Sequence, residues 1–275
     1  MSFIPKSPLR FFFNLFIIAL ISQIFSSCSD SASNNSANPI DATTKVSNFG
    51  DEQINDDNFS LLVIGDDRSG STSVNRKLTK DEYEEVFKNF IKSSYGTIAV
   101  RVIGNPKNDN LEFHRLKVLP TYKKIPIDES KDPTLTERGK INLRNKQIVI
   151  KNDSIKQINE EHLNSFLDKI DENVINYKKA GKDLTDINDI FSHLNDIVNE
   201  SEYKKAKKIT IVLLSDGIHD ATKEKVNKIN FDDKPVEIHL IGWKDKSVFS
   251  LDDTKINSYE SKDGFLETTK SIFKP

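Results

Sequence analysis

Four short apolar runs constrain the fold of this chain more than any other feature. Residues 59–64 (Phe-Ser-Leu-Leu-Val-Ile), 97–104 (Thr-Ile-Ala-Val-Arg-Val-Ile-Gly), 209–214 (Ile-Thr-Ile-Val-Leu-Leu) and 236–241 (Val-Glu-Ile-His-Leu-Ile) are close to continuous in apolar residues instead of strictly alternating. A strand covered on both faces needs that composition, whereas a strand with one wet face alternates. Such strands belong to parallel sheets flanked by helices, so helical stretches are expected between them.

Those stretches are present. Thr79 and Glu82 have the spacing of a capping box, and Tyr83, Val86, Phe87, Phe90 and Ile91 behind them form one apolar helix face. A second helix is expected over residues 154–180, with Ile155, Ile158, Leu163, Phe166, Leu167, Ile170 and Val174 on one side. Gly181 and the polar residues after it break that pattern, and Ile187, Ile190, Phe191, Leu194, Ile197 and Val198 begin the next helix. Residues 222–229 predict a short helix, 256–259 a short extended piece and 265–273 a final helix. The connection from the second strand to residues 112–119 is too short for a helical crossover, so that segment predicts an antiparallel edge strand. Residues 120–145, with Pro120, Pro126, Pro133 and many charges, read as an irregular excursion. The expected fold class is α/β: doubly wound, with a mainly parallel central sheet and one antiparallel edge strand.

The N-terminus has a different character. Lys6 and Arg10 precede an apolar stretch, Phe11 to Ile21, too short and too closely followed by polar residues for a good spanning helix. It ends in Phe25-Ser26-Ser27-Cys28, and Cys28 is the only cysteine of 275 residues. Small residues before a lone cysteine resemble the lipobox of bacterial lipoproteins, in which the cysteine becomes the lipidated first residue. The resemblance implies a signal peptide over 1–27, lipidation at Cys28 and a lipid-anchored place in the bacterial cell envelope. Ser29 after the cysteine favours the outer membrane or cell surface over the inner membrane. Residues 28–57 are rich in Ser, Asn, Asp and Ala, with too few apolar groups to order themselves, and read as a tether. The folded domain is expected over 58–275. A net charge of −2 gives no support to nucleic-acid binding or to a polybasic membrane-surface role, and one cysteine rules out an intramolecular disulfide and a cysteine-based zinc site.

Chemistry concentrates at strand ends. Asp67-Arg68-Ser69-Gly70-Ser71 follows the first strand, and Ser215-Asp216-Gly217 follows the fourth. Ligands of doubly wound sheets sit outside the carboxyl ends of strands where the winding reverses. The first and fourth strands are the natural neighbours at such a point. Carboxylates and hydroxyls are hard oxygen donors suited to a small divalent cation. Together, Asp67-x-Ser69-x-Ser71 and the Asp216 loop resemble the von Willebrand factor A domain and its metal-ion-dependent adhesion site. The resemblance covers roughly residues 58–275 and implies a Rossmann-like three-layer fold.

It further implies that Asp67, Ser69, Ser71 and Asp216 hold a metal, magnesium in most members and manganese or calcium in others. The family's threonine falls on Thr185, just before a helix, with Asp183 as the competing residue; Leu184 stands where the family often has glycine. Neutral hydroxyl ligands leave the metal much of its positive charge, so an open coordination position accepts a carboxylate from a partner protein. The expected function is therefore binding, with no catalytic residue.

Two other functions compete. One is a magnesium-dependent phosphoryl-transfer or hydrolytic enzyme. Asp66-Asp67 also resembles the start of a response-regulator receiver, and Lys244 and Lys246 follow the fifth strand, but no aspartate ends a central strand where that family needs its phosphate acceptor. The other is a metal-free structural A domain. The five histidines, His114, His162, His193, His219 and His239, have no metal-binding spacing, and only His219 falls near an acidic loop. Trp243 reads as packing, and the run 204–208 as a solvated lead-in to the fourth strand.

Overall fold

The computed structural model describes Ile54 and residues 58–107, 111–178, 184–231, 234–250 and 255–273. The expected signal peptide over 1–27, Cys28, nearly all of the expected tether and Asp183 lie outside the described residues. Everything described below belongs to the unit Gly50–Pro275.

Six strands form one sheet in the order β3-β2-β1-β4-β5-β6. They are β1 (Phe59–Asp67), β2 (Tyr95–Ile103), β3 (His114–Val118), β4 (Lys208–Leu214), β5 (Val236–Ile241) and β6 (Ile256–Tyr259). All neighbours are parallel except β3, which runs antiparallel to β2 at the edge. The fold is therefore the expected α/β class. β1 and β4 pair directly, and the winding reverses between them.

Alternation along the strands feeds two cores. Leu61, Val63, Ile209, Ile211 and Leu213 face one layer with the helix α3 (Ile187–Asn199). Leu62, Ile64, Val212 and Leu214 face the other, with α1 (Lys80–Ser93), the second half of α2 (Leu135–Ile170) and α4 (Lys262–Ile272). The Thr79–Glu82 capping box is formed. A buried ion pair ties β2 to α3: Arg101 is 1% exposed and its Nη2 lies 2.5 Å from Asp189 Oδ2.

Two expectations fail. The helix expected over 154–180 begins 19 residues earlier, at Leu135, and gives way to a single π-helical turn at Asp171–Ile175. Thr134 and Glu137 form a second capping box, placed directly after Pro133. So the supposed excursion is irregular only as far as Pro133. Its remainder is helix because its packed face is polar. Asn145, Asn152 and Asn159, seven residues apart and so nearly two turns apart on one face, each bind both backbone groups of one residue. Asn159 holds Leu119, Asn152 holds Tyr122 and Asn145 holds Ile125, all with bonds of 2.8–3.1 Å. A search for apolar periodicity passes over such a face.

The helix expected over 222–229 is absent, and the segment is bends and extended chain. Val226 and Ile229 stand among Lys223, Glu224, Lys225, Asn227 and Lys228, too few apolar groups to seat a helix on the sheet. Asn188 instead fixes this stretch as irregular chain, accepting from the Asn227 N–H and donating to the Lys225 carbonyl.

Candidate functional site

The last two residues of β1 point to opposite faces, as successive strand residues must. Asp66 turns toward α1. It accepts from the Tyr83 hydroxyl and lies 2.5 Å from Arg68 Nη2, which also donates to the Leu78 carbonyl at 2.7 Å. Burial drives the Asp66 carboxyl above the usual carboxylate range, against the opposing pull of Arg68. Burial, with Asp66 beside it, likewise holds Tyr83 well above the usual phenol value, so it remains a donor. This trio anchors β1 to α1 and leaves the loop above to Asp67.

Asp67 is fully buried and braces two loops. Its Oδ1 accepts from the Ser69 N–H at 2.9 Å, closing the first loop on itself. Its Oδ2 accepts from the Ser215 hydroxyl at 2.9 Å, joining the end of β1 to the end of β4. Ser215 Oγ also accepts from the Gly217 N–H at 3.1 Å, and Asp216 Oδ1 accepts from the Ile218 N–H at 3.0 Å. Gly217 has φ +74° and lies flat on the Trp243 indole, where a Cβ would stand 2.8 Å from the ring. Trp243 stacks in turn on Phe191, so its role is packing, directly beneath the Asp216 loop.

Hydroxyls gather above Asp67. Ser69 Oγ is 3.0 Å from Ser71 Oγ and 3.0 Å from Thr72 Oγ1. Ser69 and Thr72 are buried, whereas Gly70 and Ser71 are exposed at the rim. Lys77 Nζ donates to the Ser69 carbonyl at 2.6 Å and holds the loop from outside.

Thr185 enters from the third direction. It is 3% exposed and lies in the lead-in to α3. Asp220 clasps it: Asp220 Oδ1 accepts from the Thr185 N–H at 2.5 Å, and the Thr185 carbonyl accepts from the N–H groups of Asp220 and Ala221 at 3.2 Å. The next residue, Asp186, donates its N–H to the carbonyl of Gly104, just past β2. The Thr185 segment is thus strung between the ends of β2 and β4, on either side of β1. Bonds join the Asp67, Ser69 and Ser71 loop to Ser215, and Thr185 to the far end of the Asp216 loop.

His219 is a strut of this edge. Its Nδ1 accepts from the Ile187 N–H at 3.2 Å, so Nε2 carries the proton toward Thr222 Oγ1 at 2.9 Å. Sequence reasoning missed Thr72, Ser215 as a brace, Asp220 as a clasp and Lys77. Thr72 and Ser215 directly adjoin the motif residues, which is the signal that could have found them; Asp220 and Lys77 carry no local signal.

The donor set is two carboxylates and several hydroxyls. Among the described residues no group of three or more His, Cys, Asp or Glu side chains could hold a metal ion. Hydroxyl-rich oxygen sets suit a hard cation that keeps some of its waters. Magnesium–oxygen distances of about 2.1 Å put neighbouring octahedral ligands about 3 Å apart, and Ser69 Oγ and Ser71 Oγ stand at 3.0 Å. That spacing is also an ordinary hydrogen bond, and the donor types present are those such an ion takes. Among the described residues no helix is long and apolar enough to cross a membrane. No protein-family model matches this chain, and no curated protein matches it.

Proposed function

We propose that this protein is a lipid-anchored binding module of the bacterial cell envelope, built as a von Willebrand factor A-like domain. Its sheet edge takes a divalent cation and, through it, a carboxylate of a partner protein. The observation that carries the reading is the 3.0 Å pairing of the Ser69 and Ser71 hydroxyls in a loop whose Asp67 carboxylate is itself braced to Ser215. Ser69, Ser71 and Thr185 would hold the ion through neutral oxygens, and Asp67 and Asp216 through their carboxylates, directly or through water. Magnesium fits first, with manganese and calcium as related ions. The bound cation supplies a positive charge only partly neutralised by its ligands, which is what a partner's carboxylate needs.

The chain's own part is to hold that arrangement ready. Asp67 has both oxygens committed to fixing loops, so the loops are preformed. Ser71 lies at the exposed rim, where an incoming group arrives. His219 has both ring nitrogens engaged within the scaffold and offers no proton acceptor to the site.

The test is thermal unfolding and manganese titration of the protein with magnesium and with chelator. A ligand that binds only the folded state at a hundredfold its dissociation constant adds about 2.7 kcal/mol. A rise in Tm with magnesium, lost in Ser69→Ala/Ser71→Ala, is expected. Ser71→Ala alone, at an exposed position, keeps the test clear of misfolding. An equal Tm with metal and chelator overturns the reading. Turnover of a phosphoester that Asp67→Ala abolishes replaces it with the enzymatic one. A magnesium-dependent pull-down with the Asp67→Ala control then identifies the partner, and fatty-acid labelling lost in Cys28→Ser tests the anchor.

A further inference from the structure

We infer that the first half of α2 is a membrane-surface contact that lies flat on anionic lipid. The inference concerns a different surface from the metal site and does not rest on it. The chain's small net charge hides a local imbalance. Residues 135–151 carry Arg138, Lys140, Arg144, Lys146 and Lys151 against a single acid, Glu137. That acid is occupied in the capping box with Thr134. Arg138 reaches back to Glu129, while Lys140, Arg144 and Lys146 are exposed.

The apolar side chains here point the wrong way for a core. Ile148 is buried on the face that carries the asparagines. Leu143 and Ile150, again seven residues apart, stand on the opposite face, 61% and 66% exposed, and Leu135 at the helix start is 90% exposed. Lys146 flanks this pair on one side, Lys140 and Arg144 on the other, by the helical rotation of 100° per residue. The arrangement is a pair of exposed apolar side chains about 10 Å apart along the helix, with cations on both sides. At a bilayer surface, exposed apolar side chains beside cations bury at the headgroup boundary while the cations sit among lipid phosphates. Charge complementarity selects the occupant: the pattern fits an anionic bilayer surface. The basic character also stops where the exposed pair does, since Asp153, Glu160, Glu161 and Asp168 follow. The asparagine ladder on the buried face leaves the opposite side of the helix available without disturbing the sheet.

The test uses the full chain with Cys28→Ser and Gln147→Cys, labelled at the new cysteine with an environment-sensitive fluorophore. Vesicles of phosphatidylglycerol and phosphatidylcholine in equal parts are compared with phosphatidylcholine alone. The expected result is a blue shift with a several-fold rise in emission on the anionic vesicles only, reversed by salt. Each cation near such a surface contributes about fivefold to partition. Lys140→Ala/Arg144→Ala/Lys146→Ala is therefore expected to weaken the response roughly a hundredfold, and Leu143→Ser/Ile150→Ser to remove the blue shift. All five positions are exposed, so these variants keep the fold. No response on anionic vesicles, or an equal response on neutral ones, overturns the inference. A label silent with vesicles but responsive to polyglutamate overturns it in favour of an acidic polypeptide. A response that grows with protein concentration alone does so in favour of a second copy of this chain.

Discussion

The C-terminal edge of the sheet and the first half of α2 both rely on side chains that hold backbone, but they are wired differently. At the sheet edge, Asp67 bonds two loops, Asp220 clasps a third, and Asp186 ties that third segment back to β2. The bonds form a cross-linked mesh over buried strand ends. Along α2, Asn145, Asn152 and Asn159 form a series of separate clamps on one extended segment. Each clamp stands alone, and the opposite face is in solvent. A mesh preorganises a site because the Asp216 loop cannot move without breaking bonds to both the Asp67 loop and the Thr185 segment. A series instead yields one clamp at a time and can adapt to a surface.

The largest effect should come from cutting the sheet side of the comparison. Asp189→Ala leaves Arg101 buried without its carboxylate, and removal of one partner from such a pair costs about 3–5 kcal/mol. Urea unfolding should show this as a shift of the whole transition. Asn152→Ala should cost less, about 1–3 kcal/mol for two stranded backbone groups at Tyr122. Its signature should be local: faster hydrogen exchange over residues 119–125 and the first half of α2, with β1 and β4 unchanged. Protection lost equally in the central strands would break the distinction between mesh and series.

A pH titration gives a smaller effect. Glu237 lies 3.2 Å from His239 Nε2 and pairs with Lys208, and these neighbours lower its carboxyl from 4.5 to about 2. A carboxylate depressed on folding contributes stability that is present above the unfolded value and disappears as pH falls through the folded one. The contribution of Glu237 should therefore be complete above about pH 4.5 and lost toward pH 2. Partial exposure limits it to about 1 kcal/mol. Glu237→Gln should flatten the acid limb of the stability curve by that amount; an unchanged limb would remove the ion pair from the account of the β5 edge. The smallest effect belongs to Leu143→Ser/Ile150→Ser, expected to move stability by less than about 0.5 kcal/mol because both side chains are already in solvent. A larger loss would mean that the exposed face packs against something within the protein.

Most of the fold was legible because continuous apolar strands announce coverage on both faces, and because α1 and α3 keep a helical apolar stripe. Legibility failed where the packed face is polar or where local pattern lacks a seat. The start of α2 was missed although Thr134 and Glu137 have the same capping spacing as Thr79 and Glu82, since asparagines replaced the apolar stripe. The helix expected over 222–229 did not form because two apolar residues give the sheet too little to hold.

By itself the sequence determined the strand runs, the antiparallel edge, the pairing of the first and fourth strands and the acidic loops at their ends. These follow from local composition and from the length of connections. Tertiary structure alone decided what each carboxylate does. Strand alternation separates Asp66 from Asp67, but Tyr83 and Ser215, which give the two their different roles, lie 17 and 148 residues further along the chain. Only the folded sheet brings those donors to neighbouring acids, and burial there makes every unmade bond costly enough to fix the loops in place.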